Sequence, residues 1–69
     1  MEKKNARLIA RREAMGMSQG EAAKAVGVSR QNYNRYECGG AQPLAERACI
    51  IAKVFGTTVE ALWGMGGSQ

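Results

Sequence analysis

The stretch Ser18–Glu37, SQGEAAKAVGVSRQNYNRYE, holds two helix starts with a glycine just before the second. Ser18-Gln19-Gly20-Glu21 has the pattern of a capping box. Its hydroxyl accepts a free N–H of the first turn, and the Glu side chain reaches back to the N–H of the cap. Ser29 stands where a second cap is needed. Gly27 can take the positive φ that ends a helix without a Cβ penalty. Only Gly27-Val28-Ser29 joins the two helices, and so short a turn makes them cross steeply rather than lie antiparallel. Ala23 lets them approach closely, and Val28 fills the space between them.

The rest of the chain is punctuated in the same way. A first helix is predicted over Lys3–Ala14, with Ala6, Leu8, Ile9 and Met15 as its apolar stripe and Gly16 as its stop. The second helix starts at Ser18 and buries Ala22, Ala23 and Val26. The third runs from the Ser29 cap to about Glu37 and is broken by Gly39 and Gly40. The loop Gly40-Ala41-Gln42-Pro43 leads to a fourth helix over about Leu44–Phe55, ended by Gly56. Thr57 or Thr58 caps a short fifth helix, Val59–Trp63, and Thr57-x-x-Glu60 has the capping-box pattern again. No stretch alternates apolar and polar residues as a strand would. The expectation is an all-α fold of five helices. It occupies residues 1–63 as one domain, with 64–69 as a frayed, glycine-rich tail.

The chain has 69 residues, of which 45% are hydrophobic but only one is Trp, one Phe and two Tyr. Its core must therefore come from Ala, Val, Ile, Leu and Met. Ordering costs of roughly 1.5 kcal/mol per residue nearly cancel what such a core supplies, so capping and polar bracing matter. Cys38 and Cys49 are the only cysteines and histidine is absent. That pattern fits neither a disulfide framework nor a four-ligand zinc site, and two reduced thiols are expected. With no His, no Asp and no phosphate-cradling glycine motif, an enzyme is not expected, and neither is a cofactor or metal. No leader is expected at the N-terminus. The longest apolar run, Ala48–Ala52, is far short of the ~20 residues of a membrane span. A cytoplasmic protein is expected. The formal net charge of +4 suits a polyanionic partner, although it also suits plain solubility.

The position of the charges bears on that choice. On the third helix Tyr33, Tyr36 and Glu37 follow i, i+3, i+4 spacing and face inward. Arg30, Gln31, Asn34 and Arg35 share the opposite face, and none is acidic. Arg can donate two hydrogen bonds to guanine O6 and N7, and Gln or Asn can pair with adenine N6 and N7. The bland alternative is an ordinary solvated face. Lys3, Lys4, Arg7, Arg11 and Arg12 form a basic N-terminal segment, either touching phosphate or simply solvated.

These residues together resemble the Cro and phage-repressor type of helix-turn-helix protein, the xenobiotic-response-element-like regulators. The resemblance covers about Leu8–Trp63. It rests on Arg12, Met17-Ser18-Gln19, Ala23, Val26-Gly27-Val28-Ser29-Arg30-Gln31, Glu37, Gly39, Pro43, Ile51-Ala52-Lys53, Phe55-Gly56 and Leu62. It implies a compact five-helix lambda-repressor-like domain whose third helix reads DNA. Arg30, Gln31 and Arg35 then face base edges, joined on the same face by Asn34. Gln19 bonds a phosphate at the start of the second helix, where free N–H groups favour an anion. Ser29, Asn32, Gln42 and Arg12 are further phosphate candidates, and Arg12 and Glu37 match a structural salt bridge.

The resemblance also implies a sequence-specific transcriptional regulator, most simply a Cro-like repressor, with double-stranded DNA as partner and no small-molecule ligand or membrane. A homodimer on a palindromic operator is expected, with Leu44, Ile50, Val54, Val59 and Trp63 as contact candidates. The alternative use of the same fold is a protein-interaction module, an antitoxin or anti-repressor. Tyr33 and Tyr36 depart from the family's smaller aliphatics, and are expected to fill a core thinned by Ala22, Ala45 and Ala48, the alternative being a hydroxyl pointed at the DNA backbone. Gly20 weakens the second helix, and Gly40-Ala41 replaces a loop that is commonly basic.

Overall fold

The computed structural model describes residues 4–64. Five helices follow one another: α1 (Ala6–Ala14), α2 (Gln19–Val26), α3 (Arg30–Cys38), α4 (Ala45–Val54) and α5 (Val59–Trp63). No strand occurs among the described residues.

Four of the five helices open on a side chain that accepts a first-turn N–H. Ser18 forms the full capping box with Glu21, Ser29 accepts from Asn32, and Thr58 accepts from Ala61. Thr58, not Thr57, is therefore the cap of α5. The helix α1 starts at Ala6 rather than Lys3, because the Asn5 side chain accepts from the Leu8 N–H and fixes the start there. Only α4, preceded by Leu44, lacks a side-chain cap.

At the helix ends the glycines do what the sequence suggests. Gly27 closes α2 with φ +82°, and Gly39 closes α3 with φ +84°. Two arginines do the same work from a distance. Arg47 of α4 donates to the Val26 carbonyl at 2.7 Å, tying the end of α2 to α4. Arg11 donates from Nε to the Phe55 carbonyl at 2.9 Å and from Nη2 to that of Gly56 at 3.1 Å, closing the end of α4.

The core gathers Leu8, Ala22, Ala23, Val26, Tyr33, Ile51, Ala52, Phe55 and Leu62, one or more from each helix. Val28 in the turn packs against it. α2 packs on α3 and α4, while α1 packs on α3 and α5. α3 is thus held from behind by two helices and its opposite face is left to solvent.

Several expectations about packing change. Leu8 is the only buried residue of α1, and Ala6 and Met15 are exposed. Met15 is the C-cap just after Ala14, and its side chain is 46% exposed. Ala45 is exposed in the first turn of α4, so it does not thin the core. Tyr33 is fully buried, and its ring meets that of half-buried Tyr36 edge-to-face at 6.4 Å between centroids. Both tyrosines fill space, as favourable aromatic geometry allows. Cys38 and Cys49 are free and exposed. Of the apolar residues around α4 and α5, Ile50, Val54, Val59 and Trp63 pack partly on the core, whereas Leu44 is 82% exposed. Of the expected tail, 64–69, Gly64 closes α5, and residues 65–69 lie outside the described residues, as does Lys3.

Candidate nucleic-acid interface

The helix α3 divides cleanly. Tyr33 and Glu37 are buried, and Arg30, Gln31, Asn34 and Arg35 are all exposed on the other side. Ser29 caps the helix through its oxygen, which leaves the hydroxyl proton free to donate outward. Asn32 is exposed beside it.

Gln19 begins α2 and lies next to this face. Gln19, Arg30, Gln31 and Asn34 line a shallow hollow of about 270 Å³. Gly20 makes room at its edge. A Cβ placed there would lie 4.0 Å from the Arg30 Cδ, so the arginine stem rests close to the first turn of α2. The N-terminus of α2 adds unpaired backbone N–H groups and partial positive charge.

Behind the exposed face is a buried polar brace. Arg12 Nε donates to Glu37 Oε2 at 2.6 Å and Arg12 Nη2 to Oε1 at 3.3 Å, with side chains 12% and 3% exposed. A further donor, Arg12 Nη1, bonds the Met17 carbonyl at 2.8 Å. Gln19 Nε2 donates to Glu37 Oε1 at 2.9 Å and to Asn34 Oδ1 at 2.9 Å. At the other end of α3 the Glu37 carbonyl accepts from the Asn5 N–H at 2.8 Å. Glu37 is therefore fixed at both its side chain and its backbone.

The electrostatics follow from this arrangement. Burial alone pushes the Glu37 carboxyl up. The hydrogen bonds from Arg12 and Gln19 outweigh that and hold it below the ordinary carboxylate range. The same hydrogen bonds raise Arg12, against the cost of its burial. Burial, and then the nearby Glu37 anion, push the Tyr33 phenol far above its ordinary range. Its hydroxyl is buried with no hydrogen-bond partner among the described residues.

The helix-turn-helix family profile matches residues 8–62, most of the chain. The chain belongs to the helix-turn-helix family. Among solved structures it is similar to the P22 c2 repressor in complex with synthetic operator 9T. The identity is 26%, the match covers 87% of this chain and 92% of that one, and the TM-score is 0.80. It is also similar to the solution structure of the DNA-binding domain of the same repressor, again at 26% identity. That match covers 88% and 82% of the two chains with a TM-score of 0.78. No curated protein sequence matches the chain.

Within this helix-turn-helix unit, α2 and α3 are the paired helices and α3 is the exposed second helix. Arg30, Gln31 and Asn34 meet Gln19 in one hollow, and Arg35 stands exposed farther along α3. Gln42 lies elsewhere. It lines a separate surface groove with Lys4, Arg7, Tyr36 and Trp63.

Two of the expected phosphate ligands are committed inside the protein. Arg12 is a brace, with its guanidinium engaged by Glu37 and Met17. Gln19 spends both amide N–H groups on Asn34 and Glu37. Arg11, grouped with the basic segment, instead closes α4. Sequence reasoning missed the roles of Asn5 and Arg47. Asn before an apolar-periodic segment is a recognised cap signal, but nothing local marks an arginine that bonds a carbonyl on another helix.

Proposed function

We propose that this helix-turn-helix protein regulates transcription by setting α3 in a DNA major groove, with Arg30, Gln31, Asn34 and Arg35 facing base edges. The reading rests on one observation above all. An exposed, acid-free face of four hydrogen-bonding side chains projects from a helix that is fixed from behind. Such a face combines the donors that base reading needs with the rigidity that makes discrimination possible.

In this reading the backbone N–H groups at the start of α2, the Ser29 hydroxyl and Asn32 hold phosphates on either side of the groove. Gln42, with Lys4 and Arg7 nearby, reaches the backbone farther out. The P22 c2 repressor, which shares the fold, is seen with a synthetic operator, and this supports repression by operator occupancy. Binding as a homodimer on a palindrome follows from the need of a single unit for two half-sites. Exposed Leu44 supports a contact beside α4. A binding role rather than catalysis, and a cytoplasmic site of action, complete the reading.

The test is selection of bound sequences from random duplex DNA. A palindromic consensus with half-sites one helical turn apart is expected. Recovery of no preferred sequence would overturn the reading.

A further inference from the structure

Asn34 stands among the base-facing residues, and an asparagine amide has two distinct ends. Its oxygen accepts and its nitrogen donates. Pairing with adenine needs both, one toward N6 and one toward N7. Which end faces DNA is decided here by groups inside the protein.

Glu37 fixes the first of these assignments. Beside Arg12 it is a carboxylate, which can only accept. The Gln19 side-chain atom 2.9 Å from Glu37 Oε1 is therefore the nitrogen. That nitrogen has one remaining proton, directed at an Asn34 atom 2.9 Å away, which must then be the oxygen. Cys38 Sγ donates to the same oxygen at 3.7 Å. Two donors occupy the two lone pairs of Asn34 Oδ1. Asn34 Nδ2 has no partner among the described residues and lies on the exposed face.

We infer that Gln19 acts as a positioning residue that fixes Asn34 as a pure hydrogen-bond donor toward DNA, so that Asn34 selects guanine or thymine and not adenine. The inference rests on the base-reading role proposed above for α3 and adds a preference at one position. In the major groove guanine offers O6 and N7 and thymine offers O4, all acceptors. Adenine also offers N7 as an acceptor, but its neighbouring N6 amino group would meet an amide with no free acceptor, a donor-to-donor contact that guanine and thymine do not impose. The ion pair buried between α1 and α3 thus sets, through Gln19, the donor polarity of a side chain on the exposed face.

The experiment compares sequences selected from random duplex DNA by the full chain and three variants. Asn34→Ala locates the base pair, losing preference there alone. In the wild type that base pair carries guanine or thymine on the strand facing Asn34. Gln19→Ala frees the Asn34 amide to turn over, and adenine rises about tenfold at that position relative to wild type. Asn34→Asp keeps the acceptor toward Gln19 and turns a second acceptor outward. The preference then inverts to cytosine or adenine, whose amino groups donate, whatever the overall loss of affinity.

Adenine at that position in the wild type overturns the inference. So does an unchanged preference in Gln19→Ala, or retention of guanine or thymine in Asn34→Asp. An Asn34→Ala variant that weakens all sequences equally assigns Asn34 to phosphate and overturns it as well. Each of these outcomes leaves a selected operator in place. A wild type that selects nothing removes the base-reading role itself.

Discussion

Arg12 on α1 and Glu37 on α3 form a two-pronged ion pair, 2.6 and 3.3 Å across its two hydrogen bonds, with both side chains almost fully buried. Desolvating two charges costs several kcal/mol, and only good geometry with further hydrogen bonds offsets that cost. Both conditions hold. The Met17 carbonyl takes another Arg12 donor, and Gln19 donates to the carboxylate. The pair contributes orientation more than net stability, holding α3 by its inner face while the outer face stays free.

Removing one partner should therefore be worse than replacing both. Glu37→Ala leaves a buried guanidinium without its anion and should cost about 3–5 kcal/mol. That is a large share of the stability of so small a domain. Arg12→Met combined with Glu37→Leu should recover much of the loss, though not all, since Met17 and Gln19 lose partners too. Urea denaturation of Arg12→Met, of Glu37→Leu and of the double variant gives the coupling energy. Additive losses would show that the pair is not coupled.

The same group makes stability depend on pH at the acid end. The folded-state pKa of Glu37 lies below its unfolded value. Its contribution is thus fully present above the ordinary carboxylate range and is lost as pH falls through that range and below. Tyr33 works in the opposite sense. Its folded pKa is raised, so stability falls once pH rises past the ordinary phenol value of about 10. Thermal melts from acid to alkaline pH should show both slopes. Tyr33→Phe should flatten the alkaline slope alone. Its buried hydroxyl has no partner among the described residues, so this variant should be neutral or more stable by up to about 1 kcal/mol.

How far the sequence reveals this molecule depends on how local each cause is. Helix starts at Ser18 and Ser29 and the stop at Gly27 depend on neighbours within a turn, and they are legible. The two faces of α3 follow from helical spacing and are legible too. Thr57 and Thr58 both carry a capping hydroxyl, and only the backbone at Thr58, extended just before Val59, decides between them. The internal polar contacts are another matter. Gln19 reaches Asn34 across the α2–α3 pair, Arg47 reaches Val26, and Arg11 reaches Phe55. Such long side chains have many rotamers and several partners within range, and spacing along the chain does not choose among them.

Gly20 inside α2 and Gly27 at its C-cap should respond oppositely to the same substitution. At Gly20 a Cβ would meet nothing closer than 3.9 Å, and the φ is not positive. Gly20→Ala should stabilise by about 0.5–1 kcal/mol through reduced backbone entropy of the unfolded chain. At Gly27 the φ is +82°, and a Cβ would lie 3.3 Å from Arg47 Nη1, the group that bonds Val26. Gly27→Ala should destabilise by about 1–2 kcal/mol from the left-handed backbone alone. Chemical denaturation measures both. Equal effects would contradict the cap assignment.

Arg35 offers the clearest separation of reading from folding. It is exposed on α3, and its side chain makes no hydrogen bond or ion pair among the described residues. Arg35→Ala should therefore leave the melting temperature nearly unchanged. If its guanidinium pairs with a guanine edge, the variant loses about 1–3 kcal/mol of affinity for the selected operator and becomes indifferent at one base pair. Asn32→Ala and Gln42→Ala should instead weaken every sequence by similar factors, because phosphates look alike wherever they occur. Titrations on operator and scrambled duplexes at two salt concentrations distinguish these patterns. A uniform loss in Arg35→Ala, with a shallower salt dependence, would place Arg35 on the phosphate backbone and leave the base reading to Arg30, Gln31 and Asn34.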